Sequence, residues 1–342
     1  MEIKFGGNST MTTLKFLWID DDANRKRSAE SIKAYEHRIG TRKIKASVEF
    51  LSLRKADAIK TINGIKRFPE FDLVIIDHIL TGATGVIRKG TTLAEVIREK
   101  APKCPIVGVT AAINQKGINQ HALSMYEDLF ILDKLSDSFS SLFTIALTFK
   151  KVSRMRLRTS EAKVKLFKSP KDDVQLLKQI LPEASASARF DRAFFQWVLH
   201  DLIANPGLLY NRSWASNLVG VKENSFSKIE RLFDAAKYTG IFCDAEKPLW
   251  WKSKLKELIF TNTNNKDESL PWKAGHFLAG ISRKDYSICY SCKKHFPETL
   301  GYVDTTERSR LVPLHYQHSK PHPAYKSGLY FDEMRLMKDA NN

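Results

Sequence analysis

Several reactive side chains stand directly after apolar runs in the first 150 residues. The acidic residues Asp20, Asp21 and Asp22 follow the run 14–19, Asp77 follows 73–76, Thr110 follows 106–109 and Lys134 follows 129–132. In a parallel sheet with helices on both faces, reactive groups gather at the carboxyl ends of the strands. If each run is a strand of such a sheet, the carboxylates, the hydroxyl and the amine share one pocket.

Phosphoryl transfer to a carboxylate is the chemistry that this combination predicts. A carboxylate that accepts a phosphoryl group brings one anion up to another, so a divalent cation and a fixed positive charge must offset the repulsion. Asp20 and Asp21 would hold Mg²⁺ together with Asp77, because this ion prefers hard oxygen ligands. Lys134 would pair with the phosphoryl oxygens, and the Thr110 hydroxyl would donate to the attached group. Such a pocket acts as a switch more than as a catalyst.

The hydrophobic pattern predicts the elements that position these residues. Alternating apolar residues over 44–50 predict a second strand, and the nearly unbroken runs 73–76 and 106–109 are typical of central strands covered on both faces. Helical spacing of apolar residues occurs over 29–39 and 93–97. We therefore predict an α/β fold for residues 14–150, with a doubly wound, five-stranded parallel sheet. Right-handed crossovers would bring all five strand ends to one edge.

Residues 14–150 resemble a receiver domain of the response-regulator family of two-component signalling. The matching residues are the acidic pair Asp20 and Asp21, the phosphoacceptor Asp77, Gly85 in the loop after it, Thr110 followed by Ala111, and Lys134. The resemblance implies a phosphoryl donor, usually a histidine kinase, and Mg²⁺-dependent, self-catalysed transfer to Asp77 within a phosphorelay.

The sequence also departs from that family pattern. Leu135 follows Lys134 where the family usually has proline, and Ile131 stands where an aromatic switch residue is common. The loop 81–90, with its three glycines, is longer than usual. A receiver that keeps its site but signals without phosphate is therefore an alternative.

Length and composition favour two packed domains. The chain has 342 residues, 43% of them apolar, and its net charge of +17 divides into +6 for residues 1–150 and +11 for residues 151–342. We predict a flexible tail at 1–13, the receiver domain at 14–150, a basic linker or helix at 151–188 and a mainly α-helical output domain at 189–342. No apolar run is long enough for a membrane span or a signal sequence, so we expect a cytoplasmic protein without membrane contact.

Residues 212–232 show a pattern typical of a DNA-binding helix-turn-helix. Apolar residues lie where two short helices would bury them, and Gly220 falls at the turn. The second helix, 225–236, would present residues that can reach phosphates or base edges, namely Lys222, Asn224, Ser225, Ser227, Lys228 and Arg231. Residues 238–251 would form the hairpin of a winged helix. The alternative is an ordinary helical corner, although nine basic residues between Lys150 and Lys171 also fit a phosphate-binding surface.

A second group of chemically active residues lies near the C-terminus. Cys289 and Cys292 form a Cys-x-x-Cys pair, and His315 and His318 follow as a second pair. Two thiolates at this spacing can bind one face of a zinc ion, and two histidines can complete a tetrahedron. With water in place of one ligand, the site would instead suit metal-assisted hydrolysis. The competing interpretation is that these residues only satisfy local hydrogen bonds.

Together these patterns predict a response-regulator-like signalling protein that is not itself an enzyme. Phosphorylation of Asp77 would control the basic C-terminal domain, by changing its exposure or its homodimerisation at DNA. One alternative is a module that docks a protein partner in a signalling or defence assembly without DNA contact. The other is a metal-dependent effector enzyme that uses the cysteine and histidine cluster.

Overall fold

The computed structural model of the chain describes residues 12–85, 87–111, 124–153, 155, 157, 159–182, 192–263, 271–304 and 309–315. The chain divides into two compact units. Unit 1 contains Met1–Leu157, Ser185–Gln196 and Asp244–Glu246, and unit 2 contains Arg158–Ala184, Trp197–Cys243 and Lys247–Asn342. These bounds differ from the predicted ones, because two short segments from the second half of the sequence belong to unit 1.

Unit 1 contains a six-stranded sheet within the described residues. Its strands are β1 (Thr12–Asp20), β2 (His37–Ile39), β3 (Arg42–Ser52), β4 (Leu73–Asp77), β5 (Ile106–Thr110) and β6 (Asp128–Ile131). Their order across the sheet is β2-β3-β1-β4-β5-β6. All neighbours are parallel except β2, which pairs antiparallel with β3 at the edge. The five parallel strands confirm the predicted α/β fold, and they follow the order 2-1-3-4-5 of doubly wound flavodoxin-like sheets.

Helices cover both faces of this sheet. They are α1 (Lys26–Ala34), α2 (Ala58–Gly64), α3 (Gly90–Lys100) and α4 (Phe139–Val152), with 3-10 helices at Ala23–Arg25, Phe68–Glu70 and Leu132–Ser138. Leu17 of β1 belongs to a buried cluster with Ile62 of α2 and Ile97 of α3. Successive strand residues face opposite sides, and Phe16 packs against Phe143 of α4 with ring centroids 5.3 Å apart. Burial on both faces explains the unbroken apolar runs of the sequence.

The segment after α1 differs from the prediction. Helical spacing suggested one helix over 29–39, but α1 ends at Ala34 and Tyr35 is extended, with ψ of 136°. Residues 37–39 instead form the edge strand β2. Gly40 adopts φ of 59°, a left-handed conformation that glycine reaches without steric cost. The turn at this glycine lets β2 fold back on β3, which the apolar spacing could not indicate.

Unit 2 is mainly helical in its described part. Its helices are α5 (Ser160–Val164), α6 (Lys171–Ile180), a π-helix (Val198–Ile203) that continues α7 (Arg192–Trp197, of which residues 192–196 belong to unit 1), α8 (Arg212–Val219), α9 (Glu223–Phe226) and α10 (Lys252–Asn262), with 3-10 helices at Lys165–Phe167, Glu230–Ala236, Pro271–His276 and Arg283–Asp285. Two short antiparallel pairs accompany them, β7 (Leu209–Tyr210) with β8 (Trp250–Trp251) and β9 (Thr299–Asp304) with β10 (Ser309–Leu314).

Aromatic rings form the centre of unit 2. Phe226 lies parallel to Phe233 with centroids 5.8 Å apart, and it meets Trp250 edge-on at 5.4 Å. These rings belong to a buried cluster that also includes Val219 and Leu255. Such ring pairs stabilise a core beyond the area that they bury. Trp250 is therefore a packing residue.

The predicted helix-turn-helix is not present in the form expected. The first helix, α8, ends at Gly220, which caps it with φ of 81°, as predicted for the turn. The second element is not one α-helix over 225–236, because α9 has only four residues and Glu230–Ala236 is a 3-10 helix. The predicted wing is not confirmed: the strand within residues 238–251 is β8, which pairs with β7, and contact between the two predicted arms is limited to an antiparallel bridge of Lys237 with Trp250 and a hydrogen bond from the Tyr238 amide to the Leu249 carbonyl in the described residues.

Within the described ranges, none of the helices combines the length and the apolar character needed to cross a bilayer.

Candidate functional site

Three carboxylates meet at the carboxyl edge of the sheet of unit 1. Asp20 is the last residue of β1 and Asp77 is the last residue of β4. These strands are neighbours, with Ile19 aligned to Ile76, so both side chains emerge at the same edge. One carboxylate oxygen from each of Asp20, Asp21 and Asp77 lies within 4.8 Å of the others. This is the separation at which three oxygens can ligate one cation.

Asp20 is the most deeply placed of the three carboxylates. Its side chain is 1% exposed, and it accepts hydrogen bonds from the backbone amide of Asp22 at 2.8 Å and from the indole of Trp18 at 3.1 Å. Burial raises the pKa of Asp20, while these two hydrogen bonds act in the opposite direction. The two donors hold the carboxylate in one orientation toward the cluster.

Asp77 carries the largest perturbation in the cluster. Its pKa is raised to about 7, first by burial and then by the negative charges of Asp20 and Asp21, whereas the amide of Ile79 and the charge of Arg25 act in the opposite direction. Burial and the mutual repulsion of the carboxylates together therefore outweigh the surrounding donors. A divalent cation would remove that repulsion, so the residues fit a Mg²⁺ site with hard oxygen ligands.

Two glycines allow the loops to approach these carboxylates. The amide of Gly82 donates to Asp21, and a β-carbon at this position would lie 2.9 Å from Asp21 Oδ2. A β-carbon on Gly90 would overlap the backbone carbonyl oxygen of Asp77. The sequence showed these glycines only as parts of a long loop, and their contacts with the acidic residues were not predicted.

Thr110 and Lys134 follow the next two strands of the sheet. Thr110 ends β5, is 1% exposed and aligns with Ile131 at the end of β6. Lys134 lies three residues later in the 3-10 helix Leu132–Ser138 and is exposed. Leu135, at the position where the resemblance implies proline, is buried. Thr110 and Lys134 thus lie on β5 and just after β6, the two strands that follow β4 in the sheet order.

A buried tyrosine next to this edge was not predicted. Tyr126 is fully buried, and its hydroxyl lies 3.4 Å from Nδ1 of His78. Burial raises the pKa of Tyr126, and the charge of Asp77 adds to that effect. A β-carbon on Gly90 would meet the same hydroxyl at 2.7 Å. Neither the spacing of residues nor the composition indicated that Tyr126 would lie here. Its burial depends on contacts with His78 and with the loop that ends at Gly90, which are distant in sequence.

Three of the six residues predicted to contact DNA donate side-chain hydrogen bonds to the segment 283–285 of unit 2. The Lys222 ammonium donates to the backbone carbonyl of Lys284 at 2.7 Å. The Ser225 hydroxyl and the Lys228 ammonium both donate to Oδ1 of Asp285, at 2.9 and 2.5 Å. The segment Arg283–Asp285 therefore holds three of the polar side chains that were expected to reach a DNA groove, although Lys228 remains exposed.

The pKa of Asp285 also indicates that this carboxylate binds donors of its own unit. Its pKa is held well below the ordinary range, first by the hydrogen bond from Lys228 and then by donors of Ser282. Of the remaining predicted residues, Asn224, Ser227 and Arg231 are exposed. The predicted recognition surface is thus only partly available.

The cysteine and histidine cluster forms a second group of ligand atoms, in unit 2. The sulfurs of Cys289 and Cys292 and a ring nitrogen of His315 lie within 4.8 Å of one another. His318, the fourth residue predicted from the sequence, lies outside the described residues. The structure thus brings together three of the four predicted ligands.

Comparisons with known proteins concern unit 1. No protein-family model and no curated protein matches the chain. Many solved structures that do match are receiver domains of response regulators, and they cover the N-terminal ~40% of the chain.

Three of these structures illustrate the likeness. The response regulator TrrA from Thermotoga maritima, in complex with Mg²⁺ and BeF, is 20% identical and covers 38% of this chain and 98% of its own, with a TM-score of 0.27. The receiver domain of NtrX from Brucella abortus is 19% identical and covers 39% and 97%, with a TM-score of 0.29. A response regulator from Burkholderia pseudomallei with a phosphorylated aspartic acid, a calcium ion and citrate is 15% identical and covers 44% and 82%, with a TM-score of 0.29.

Proposed function

We propose that this chain is a response-regulator-like signalling protein in which Asp77 accepts a phosphoryl group and Asp20, Asp21 and Asp77 hold Mg²⁺. The observation that carries the proposal is the meeting of three carboxylates, within 4.8 Å of one another, at the carboxyl edge of a parallel sheet. The raised pKa of Asp77 supports it, because burial and the charges of Asp20 and Asp21 disfavour its ionised form and a bound cation would offset both effects.

The transfer would occur directly to the side chain of Asp77. A carboxylate oxygen attacks the phosphorus of the donor, the new O–P bond forms, and the bond from phosphorus to the donor atom breaks. The donor atom is the ring nitrogen of a phosphohistidine or the carboxyl oxygen of an acyl phosphate, and it leaves with the electron pair. Bound Mg²⁺ would neutralise charge on the phosphoryl oxygens. Asp20, oriented by Trp18 and Asp22, keeps its position during the exchange.

Thr110 and Lys134 would respond to the attached group. Both follow strands that end at the edge where Asp77 lies. The Thr110 hydroxyl can donate to a phosphoryl oxygen, and the Lys134 ammonium can offset its charge. Because phosphorylation adds roughly −1.5 to −2 charges, movement of these two side chains would convey the modification to the loops that carry them.

Phosphate transfer from a small acyl phosphate tests the proposal. Full-length protein incubated with acetyl phosphate and Mg²⁺ should gain the mass of one phosphoryl group, and hydroxylamine should remove it. Asp77→Asn should gain none. Asp22→Asn is the matched control, because it removes a charge from the same loop but lies outside the three-carboxylate group, and it should be modified like the wild type. An unmodified wild type, or equal modification of Asp77→Asn, would contradict the assignment.

We further propose that unit 2 is the output part and contacts a polyanion such as DNA. The net charge of +11 over residues 151–342, most of which belong to unit 2, and the exposed Arg231 support this proposal. Binding through phosphates would weaken steeply with salt. Retention on DNA at low salt that is lost on adding salt, and reduced in Arg231→Ala, is the expected result. Wild-type protein that ignores DNA at low salt would favour the alternative of a protein-docking module.

A further inference from the structure

We infer that Cys289, Cys292 and His315 bind one zinc ion that fixes the C-terminal hairpin of unit 2. The proposal is independent of phosphorylation at Asp77, because it uses different residues in a different unit. Sγ of each cysteine and a ring nitrogen of the histidine lie within 4.8 Å of one another. Tetrahedral zinc with Zn–S bonds of about 2.3 Å places two sulfurs about 3.8 Å apart, which fits this limit.

The hydrogen bonds of His315 select the nitrogen that would bind the metal. Its Nε2 lies 3.2 Å from the backbone carbonyl oxygen of His295. A carbonyl oxygen can only accept, so Nε2 carries the proton and donates it. Nδ1 is then left with a lone pair, and it faces Sγ of Cys292 at 3.2 Å. Metal-binding histidines commonly donate their other ring N–H to a carbonyl or carboxylate in this manner.

The backbone around the cysteines is arranged to hold thiolates. The amide of His315 lies 3.3 Å from Sγ of Cys289 and donates to it. Cys289 is 0% exposed, and burying a thiolate requires hydrogen-bond donors and a positive charge. Two thiolates would neutralise the charge of one Zn²⁺. An ion at this point would therefore leave the buried site without net charge.

A tight turn brings the two cysteines together. The Cys289 amide donates to the carbonyl of Lys294 at 2.8 Å, and the Lys293 amide donates back to the carbonyl of Cys289 at 3.0 Å. Lys293 adopts φ of 61°, a conformation that is uncommon for residues other than glycine and often marks a functional constraint. The turn thereby directs Cys292 back toward Cys289.

The metal would connect this turn to β10. The amide of Tyr290 donates to the carbonyl of Pro313 at 2.8 Å, and His315 directly follows the strand. The local apolar cluster is small, with Cys289, Val312 and Leu314 as its buried members. Leu300 of β9 and Leu311 of β10 pack on the main core of unit 2 instead, so a zinc ion would supply most of the local cross-link between the turn and β10, as structural zinc sites contribute folding free energy.

Metal analysis of the full-length protein tests the inference. Protein purified without chelator and then dialysed should contain one zinc ion per chain. Cys289→Ser, Cys292→Ser and His315→Ala should each lose most of it. Cys243→Ser is the matched control, because Cys243 is exposed and outside the cluster, and it should retain zinc. Wild-type protein without stoichiometric zinc, or the same zinc content in all four variants, would overturn the assignment.

Two measurements on wild-type protein remain decisive if the variants do not fold. X-ray absorption at the zinc edge should show two sulfur scatterers at about 2.3 Å and nitrogen or oxygen ligands at about 2.0 Å. A zinc-selective chelator should accelerate hydrogen exchange in β9 and β10 and leave β1 to β6 unchanged. A zinc spectrum without sulfur ligands would refute the site. A disulfide between Cys289 and Cys292 in protein purified under reducing conditions would refute it as well.

Discussion

Replacing Asp77 by Asn should stabilise unit 1 in the absence of divalent cations, and increasingly so as the pH rises. Asp77 has its pKa raised to about 7 from an ordinary value of 3.8. The native state therefore keeps this proton where the unfolded chain has lost it, so native stability falls as the pH rises from about 4 to about 7. Asparagine has a similar shape but carries no charge, and the variant does not suffer this loss.

The size of the effect follows from the pKa difference. The gap between 3.8 and about 7 corresponds to at most about 4 kcal/mol, since each tenfold change in proton affinity is worth about 1.4 kcal/mol. Asp77 is partly exposed, so we expect about 2 kcal/mol after solvent screening. That difference amounts to roughly 30-fold slower exchange of the most protected amides.

Hydrogen exchange in β1 and β4 measures this difference without interference from unit 2. Wild type and Asp77→Asn are compared in chelator at about pH 8 and about pH 5, and intrinsic exchange rates cancel because each pair shares one pH. The difference in free energy of unfolding between Asp77→Asn and the wild type should be less than half as large at about pH 5 as at about pH 8. Saturating Mg²⁺ should stabilise the wild type by a few kcal/mol, roughly 2.7 at a hundredfold excess over Kd, and the variant by less. A variant no more stable than the wild type at the higher pH would refute the electrostatic interpretation of the cluster.

Two glycine substitutions test the close approaches in the two units. Gly82→Ala should weaken Mg²⁺ binding several-fold in titration calorimetry, because its β-carbon would lie 2.9 Å from Asp21 Oδ2. Gly64→Ala, whose β-carbon would meet nothing within 4 Å, should bind like the wild type, and equal weakening in both would count against the contact. Gly220→Ala should destabilise unit 2 by about 2–4 kcal/mol. The reason is that Gly220 has φ of +81° and that a β-carbon there would overlap the carbonyl of Trp272. Unchanged protection of the α8 amides in hydrogen exchange would disprove this prediction.

The carboxylate cluster could be predicted because its position depends on local sequence and a general rule of topology. The run 73–76 is apolar at every position, so it had to be a strand covered on both faces, and Asp77 had to stand at its end. The same reasoning placed Asp20 at the end of β1. Parallel strands with right-handed crossovers then leave one edge for both residues.

The failed predictions depended on contacts between residues far apart in sequence. The helix-turn-helix was expected from spacing within 212–232, but Asp285, 60 residues beyond Ser225, receives the hydroxyl of Ser225. The same carboxylate binds Lys228, so the polar side chains turn toward their own unit. Local spacing contains no information about such a partner.

The discontinuous boundary of unit 1 has a comparable cause. Glu127 is fully buried, and burial raises its pKa to about 7. A buried carboxylate needs cationic partners. Arg98 supplies one from within 14–150, and Arg192, 65 residues away, supplies another. This ion pair anchors the segment 192–196 to unit 1, although the sequence gives it the apolar character of a separate helical domain.

The two candidate metal sites should select different ions, because their ligand atoms differ in kind. Asp20, Asp21 and Asp77 offer only carboxylate oxygens, which suit Mg²⁺, whereas Cys289 and Cys292 offer thiolates, which favour zinc. Zinc held at the thiolates should therefore survive an excess of Mg²⁺, and Mg²⁺ should enter the carboxylate cluster without displacing it. If loading one ion removed the other, either the ligand assignment of one site would be wrong or the two sites would be coupled through the fold.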